Sequence, residues 1–207
     1  MIICNRFTDK EVIYTENDDR LKVGFAMTAS FCTFSRVIPQ MEKLLASGID
    51  VIPIMSEKSA TTDTRFGTAE DFIKRIKTIT GKDILTKETE VEPLGPKRIV
   101  DALIIAPCSG ATLSRLASGL HENTVTLAAK SVLRNNSPVI LAVSTNDGLS
   151  MSAKNIGVLL NSKNIYFVPF GQDDPEKKPR SLVADMDKIL PTLSSAMAGR
   201  QLQPMLY

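Results

Sequence analysis

The sequence contains no tryptophan, one histidine, three cysteines and almost no net charge, with 25 Lys and Arg against 23 Asp and Glu for a formal +2. Each shortage excludes something. A charge of +2 is too weak for nucleic acid to be the main partner, because phosphate backbones are held by clustered Lys and Arg. A Ser-His-Asp mechanism would have to run through His121 alone, and a zinc site of His and Cys would use nearly every such residue in the chain. Cys4, Cys32 and Cys108 are odd in number and far apart, which points to reduced thiols in a cytoplasm and not to a disulfide framework. The longest apolar run, Ala102 to Pro107, falls far short of the roughly 18–20 residues that span a bilayer. The opening Met-Ile-Ile-Cys-Asn-Arg-Phe has no h-region, so no secretory signal is expected. Neither Gly-x-Gly-x-x-Gly nor Gly-x-x-x-x-Gly-Lys-Ser/Thr occurs, which removes the dinucleotide fingerprint and the P-loop.

What is present is one domain's worth of core: 207 residues, 43% hydrophobic. Residues 1–20 are polar and read as an N-terminal extension, with a short strand-like patch at Val12-Ile13-Tyr14, leaving residues 21–207 as a single domain. From Leu21 short apolar strands alternate with amphipathic helices. Strands are predicted at Leu21–Ala26, Asp50–Met55, Val100–Ala106, Pro138–Val143 and Ile165–Val168, the last of them closing the sheet. A helix with Val37, Ile38, Met41, Leu44 and Leu45 on one face ends at Gly48, with Pro39 in its first turn or kinking it. Further helices are predicted at Ala69–Ile79, closed by Gly81, and at Thr112–Ser118, Thr124–Arg134, Ser152–Leu160 and Leu182–Met197. Ser56–Gly67, Thr86–Lys97 and Phe170–Ser181 read as loops. The alternation predicts an α/β fold with a doubly wound parallel sheet.

In such sheets ligands bind beyond the carboxyl ends of the strands. The four loops there, Met27–Phe34, Ser56–Gly67, Pro107–Thr112 and Ser144–Ser150, are rich in hydroxyl and small residues and poor in carboxylates. Hydroxyls and free N–H groups at helix starts suit a phosphate, so Thr28, Ser30, Thr33, Ser109 and Thr112 are candidate anion-binding residues; helix capping is the competing role. Cys108 follows a buried strand with no nearby His and reads as a packed thiol, and His121 as a surface or interface residue.

Several strings carry a resemblance. Gly24-Phe25-Ala26-Met27-Thr28-Ala29-Ser30 and Ala106-Pro107-Cys108-Ser109-Gly110-Ala111-Thr112 with Asn123-Thr124 resemble the flavoproteins that include the peptidyl-cysteine and phosphopantothenoylcysteine decarboxylases and the prenyl-flavin transferases. More narrowly, Thr62-Asp63-Thr64-Arg65-Phe66-Gly67, Glu92-Pro93-Leu94-Gly95-Pro96-Lys97, Ser144-Thr145-Asn146-Asp147-Gly148 and Asn164 to Asp174 are similar to the B subunits of dipicolinate synthase. The resemblance implies a three-layer, Rossmann-like sheet of flavodoxin type that binds flavin mononucleotide (FMN) in a cytoplasmic homo-oligomer. It also implies an A subunit as partner, NADP reaching the reaction through that subunit, and a role in making dipicolinate in the mother cell of a spore-forming bacterium. By position, Thr28, Ala29 and Ser30 would meet the flavin phosphate. Ser56, Pro107, Cys108, Ser109 and Thr112 would border the ribityl chain and ring, and Ser144, Thr145 and Asn146 form the third family loop.

Three positions depart from the family pattern. Ala29 replaces a glycine, at a cost of roughly 1 kcal/mol if the turn needs a positive φ. Gly110-Ala111 replaces Ala-Asn, and the catalytic His that the decarboxylases carry before the central strand is missing. The expected substrate is a small dicarboxylate, and Arg65 in its hydroxyl-rich loop is the first candidate to bind a carboxylate or phosphate, ahead of Lys58 and Lys97. The expected function is an oxidoreductase subunit that completes oxidation of dihydrodipicolinate. A non-catalytic partner that holds flavin or substrate, and a flavin-dependent decarboxylase or flavin-modifying transferase, are the alternatives.

Overall fold

A computed structural model describes residues 20–207; the extension predicted over residues 1–20 lies outside this range save for Arg20. Five parallel strands carry the core: β1 (Lys22–Met27), β2 (Asp50–Met55), β3 (Ala102–Cys108), β4 (Val139–Thr145) and β5 (Ile165–Phe167). Their order is β2-β1-β3-β4-β5. All of β3 is buried, and all of β4 but Thr145, as expected of parallel strands covered on both faces. The flavodoxin-type order reverses between β1 and β3, and that is where such sheets open a crevice.

Helices form the outer layers. One layer packs α1 (Phe34–Ala46) against α8 (Ile189–Met197); the other joins α5 (Gly110–Ala117) to α6 (Thr124–Leu133) and α7 (Met151–Leu160). Helix α1 turns Phe34, Val37, Ile38, Met41 and Leu44 into the core. A 3-10 turn over Phe31–Thr33 precedes it, so Pro39 falls in the second turn and not the first. Helix α3 (Ala69–Thr80) starts where the Thr68 hydroxyl accepts from Asp71 N at 3.1 Å, and stops at Gly81, whose φ of +66° is left-handed.

The structure departs from the sequence reading in several places. Strand β3 starts at Ala102 and runs to Cys108; just before it, the Asp101 carboxylate accepts the backbone N–H of Lys22 at 2.8 Å. The loop over 56–67 contains a short helix, α2 (Glu57–Thr61), and the loop over 86–97 contains α4 (Glu88–Val91) and a 3-10 turn. The largest correction concerns residues 170–184. They form an antiparallel hairpin, β6 (Phe170–Asp174) and β7 (Lys178–Ala184), where a loop and the start of the closing helix were predicted. Strand β7 pairs with Ser144 and Thr145 at the end of β4, just beyond the stretch that β5 covers, and makes the sheet mixed. The closing helix begins only at Ile189, after the Asp185 side chain accepts Asp187 N in a 3-10 turn. The chain end returns along the hairpin, with Phe170 N donating to Met205 O at 2.9 Å.

Candidate functional site

The crevice between β1 and β3 is stitched by one hydroxyl. Thr28, only 2% exposed, donates through Oγ1 to the carbonyl of Pro107 at 2.7 Å and accepts the backbone N–H of Ser109 at 3.0 Å. Two residues on, the Ser30 hydroxyl donates to the carbonyl of Ser144 at 2.7 Å, across 114 positions of sequence. Three of the four predicted loops are therefore fastened together at the carboxyl ends of β1, β3 and β4. The fourth is anchored behind them, where Ser56 caps α2 and the Ser59 hydroxyl donates to Met27 O at 3.0 Å.

These loops and the hairpin surround a cleft of about 730 Å³, within the size range of small-molecule and cofactor sites. Of the residues singled out from the sequence, Ala29, Ser30, Thr33, Arg65, Ser109, Ser144, Thr145 and Asn146 line it. Thr28, Ser56, Pro107, Cys108 and Thr112 do not; they lie behind the lining and hold it in place. Thr112 is buried, and its N–H and hydroxyl both meet the Ser109 side chain that caps α5. Burial pushes the Cys108 thiol far above its ordinary pKa, so it is a packed side chain. Lys58 and Lys97 are exposed and away from the cleft, Lys97 preceding β3 at the opposite end of the strand. His121 Nδ1 is 3.1 Å from the carbonyl of Thr126 and plays no part in the cleft. The cost foreseen for Ala29 does not arise: the only described non-glycine residues with positive φ are Arg98, Asn136 and Asn164.

Four charged lining residues escaped the sequence reading: Arg36, Asp147, Asp173 and Lys178. Asp147 Oδ1 accepts the hydroxyls of Thr145 and Ser152, the latter at 2.8 Å. Partial burial pushes its pKa up, but these hydrogen bonds outweigh it and hold the carboxyl below its ordinary 3.8. The network also explains Gly110. A Cβ there would lie 2.5 Å from Thr145 Oγ1 and 2.8 Å from Asp147 Oδ1, so the first residue of α5 has no room for a side chain. Lys178 pairs with Asp173 at 2.6 Å, and that carboxylate raises the lysine's pKa. The Arg65 guanidinium lies 4.9 Å from the centre of the Phe66 ring. Arg36 projects from the first turn of α1. Only the hairpin's strand character would have revealed Asp173 and Lys178, and nothing local marks Arg36.

The cleft suits a ligand with an anionic end and a flat, partly apolar body. Ser30, Ser109, Ser144 and Thr145 supply hydroxyls, and the first N–H groups of α5, at Gly110 and Ala111, lack helical partners. Phe31, Phe66, Leu182 and Val183 supply apolar surface. Among the described residues no group of three or more His, Cys, Asp or Glu is placed to hold a metal ion, and no helix is long and apolar enough to cross a membrane.

Comparison with known proteins places the chain among relatives. Residues 11–193 match the Flavoprotein family. The dipicolinate synthase B subunit of Bacillus subtilis (strain 168) is 43% identical over 185 residues, which is 89% of this chain and 92% of that protein. The crystal structure of the dipicolinate synthase B subunit from Bacillus halodurans C superposes with a TM-score of 0.83 at 43% identity, covering 90% of this chain and 96% of that one. DmrB of Burkholderia xenovorans, solved in complex with FMN, shares the fold with a TM-score of 0.67 at 13% identity, covering 87% and 97%.

Proposed function

The chain belongs to the Flavoprotein family and, within it, to the B subunits of dipicolinate synthase, and from that premise we propose that it works with an A subunit to oxidise dihydrodipicolinate to dipicolinate. The observation that carries this reading is the convergence of three strand-end loops, fastened by Thr28 and Ser30, on one cleft with hydroxyls, free N–H groups and guanidiniums in its walls.

FMN fits that cleft. Ser30, the backbone at Ala29 and the N-terminus of α5 would hold its phosphate, and Ser144, Thr145 and Asn146 would border its body. Bound there, FMN supplies a group that can accept a hydride equivalent. The chain's own residues bind and orient: Arg65 takes a substrate carboxylate, Asp147 stays ionised under its two hydroxyl donors, and Phe66 and Leu182 exclude water. NADP would enter through the A subunit. Copies of the chain would assemble through exposed apolar side chains such as Met151 and Val158 on α7, in the mother-cell cytoplasm of a spore former.

The test is the rate of dihydrodipicolinate oxidation by the A subunit with and without this chain. A clear rise is expected; no change, with both proteins folded, overturns the proposal. One observation favours a second reading, a binding partner without turnover of its own: among the described residues the cleft contains no histidine, so its one lining thiol, Cys32, has no imidazole beside it to take its proton. In that case the A subunit's KM falls while its kcat stays constant.

A further inference from the structure

Among the described residues, two of the cleft's three cations lack a counter-ion. Lys178 is paired with Asp173 at 2.6 Å. The other lining carboxylate, Asp147, takes its hydrogen bonds from Thr145 and Ser152. The Arg65 guanidinium touches the Phe66 ring, and neither it nor the Arg36 guanidinium makes an ion pair among the described residues. Neither acid on Arg36's other side forms an ion pair with it. In the neighbouring depression that Arg36 also borders, Asp187 pairs with Lys43 at 2.6 Å and accepts from Gln40 at 2.9 Å, and the Asp185 carboxylate accepts Asp187 N.

The two arginines come from different walls. Arg36 stands on the first turn of α1, a helix anchored by Phe34, Val37 and Ile38 in the core. Arg65 stands on a tight turn closed by reciprocal hydrogen bonds between Thr64 and Gly67, at 3.0 and 3.1 Å. Both guanidiniums border the same cleft, and a ligand carrying two carboxylates supplies one for each, because a guanidinium grips a carboxylate through two N–H groups.

We propose that Arg36 is the second carboxylate-binding residue of the cleft, so that Arg36 and Arg65 together select a dicarboxylate over a monocarboxylate. This rests on the dipicolinate reading above and assigns the residue that reads the second charge.

The experiment is calorimetric titration of the full-length protein, with and without saturating FMN, using dipicolinate and the monocarboxylate picolinate as probes. Wild type is compared with Arg36→Gln, Arg36→Lys and Arg65→Gln, each checked for fold by circular dichroism. Arg36 is exposed, so the substitutions leave the core untouched. Arg36→Gln should weaken dipicolinate binding about ten- to a hundredfold, the scale of a lost charged hydrogen bond, while picolinate binding changes little. Arg36→Lys should recover part of the preference. Unchanged dipicolinate affinity in Arg36→Gln overturns the proposal, as does wild-type protein that binds dipicolinate no better than picolinate. FMN and riboflavin are titrated in parallel. If Arg36→Gln weakens FMN and spares riboflavin, Arg36 serves the flavin phosphate and the proposal falls. The rate gained by the A subunit when wild-type chain is added, measured separately, tells failure of this assignment from failure of the functional reading.

Discussion

Replacing Thr28 by Val removes a hydroxyl and leaves the volume nearly unchanged, which isolates the stitch between β1 and β3. The lost group is 2% exposed and has two partners, the carbonyl of Pro107 at 2.7 Å and the N–H of Ser109 at 3.0 Å. Each partner left unpaired away from water costs about 1–3 kcal/mol, so Thr28→Val should destabilise the chain by about 2–6 kcal/mol. That is a large part of the roughly 5–15 kcal/mol that holds a typical domain together. With a urea slope of about 3 kcal/mol/M, the unfolding midpoint should fall by about 0.7–2 M without a change of slope. Thr28→Ser keeps both hydrogen bonds and loses one methyl, so it should cost only about 1 kcal/mol. Because Ser109 caps α5, the damage should spread to the cleft, and FMN affinity should fall more in Thr28→Val than in Thr28→Ser. A Thr28→Val midpoint equal to wild type would refute the stitch. Equal damage from Ser and Val would show that methyl packing, not the hydroxyl, holds this point.

The network around Asp147 gives two further predictions. Gly110→Ala places a Cβ 2.5 Å from Thr145 Oγ1 and 2.8 Å from Asp147 Oδ1, and should cost about 1–3 kcal/mol by overpacking, read as a lower thermal midpoint. The Asp147 carboxyl is held below its ordinary 3.8 in the folded chain, so its stabilising contribution is present above that pH and lost as the pH falls through the folded value. Wild type should therefore be more stable than Asp147→Asn near neutral pH, and the difference should close in acid unfolding series below pH 3.8; a gap constant with pH would contradict this.

The parallel half of the fold was legible because its signals are local. Asp50–Met55 is a short apolar run between Gly48 and a hydroxyl loop, and the observed strand has those same bounds. Thr68 and Gly81 bracket α3 with a cap and a left-handed stop. The hairpin was hidden because its evident half, Lys178-Pro179-Arg180, is exposed and polar, while Leu182, Val183, Met186, Ile189 and Leu193 recur at spacings that also suit a helix. What makes β7 a strand is its pairing with Ser144 and Thr145, about forty residues earlier, a contact no local pattern records. The cleft loops were legible from their hydroxyls, but the direction of each hydroxyl was not. Thr28 points away from the cleft lining because β3 brings Pro107 and Ser109 against it. Arg36 looks like any other surface arginine until the first turn of α1 is seen to face the cleft.

Filling the cleft tests the central claim most directly. Ala111 is exposed, lines the cleft and lies in the first turn of α5, so Ala111→Trp can occupy the space without disturbing the core. FMN fluorescence, titrated with purified protein, should be quenched saturably by wild type and left nearly unchanged by Ala111→Trp of equal fold and stability. Equal binding by the two proteins, or no binding by wild type, would contradict a flavin site at the junction of β1, β3 and the hairpin.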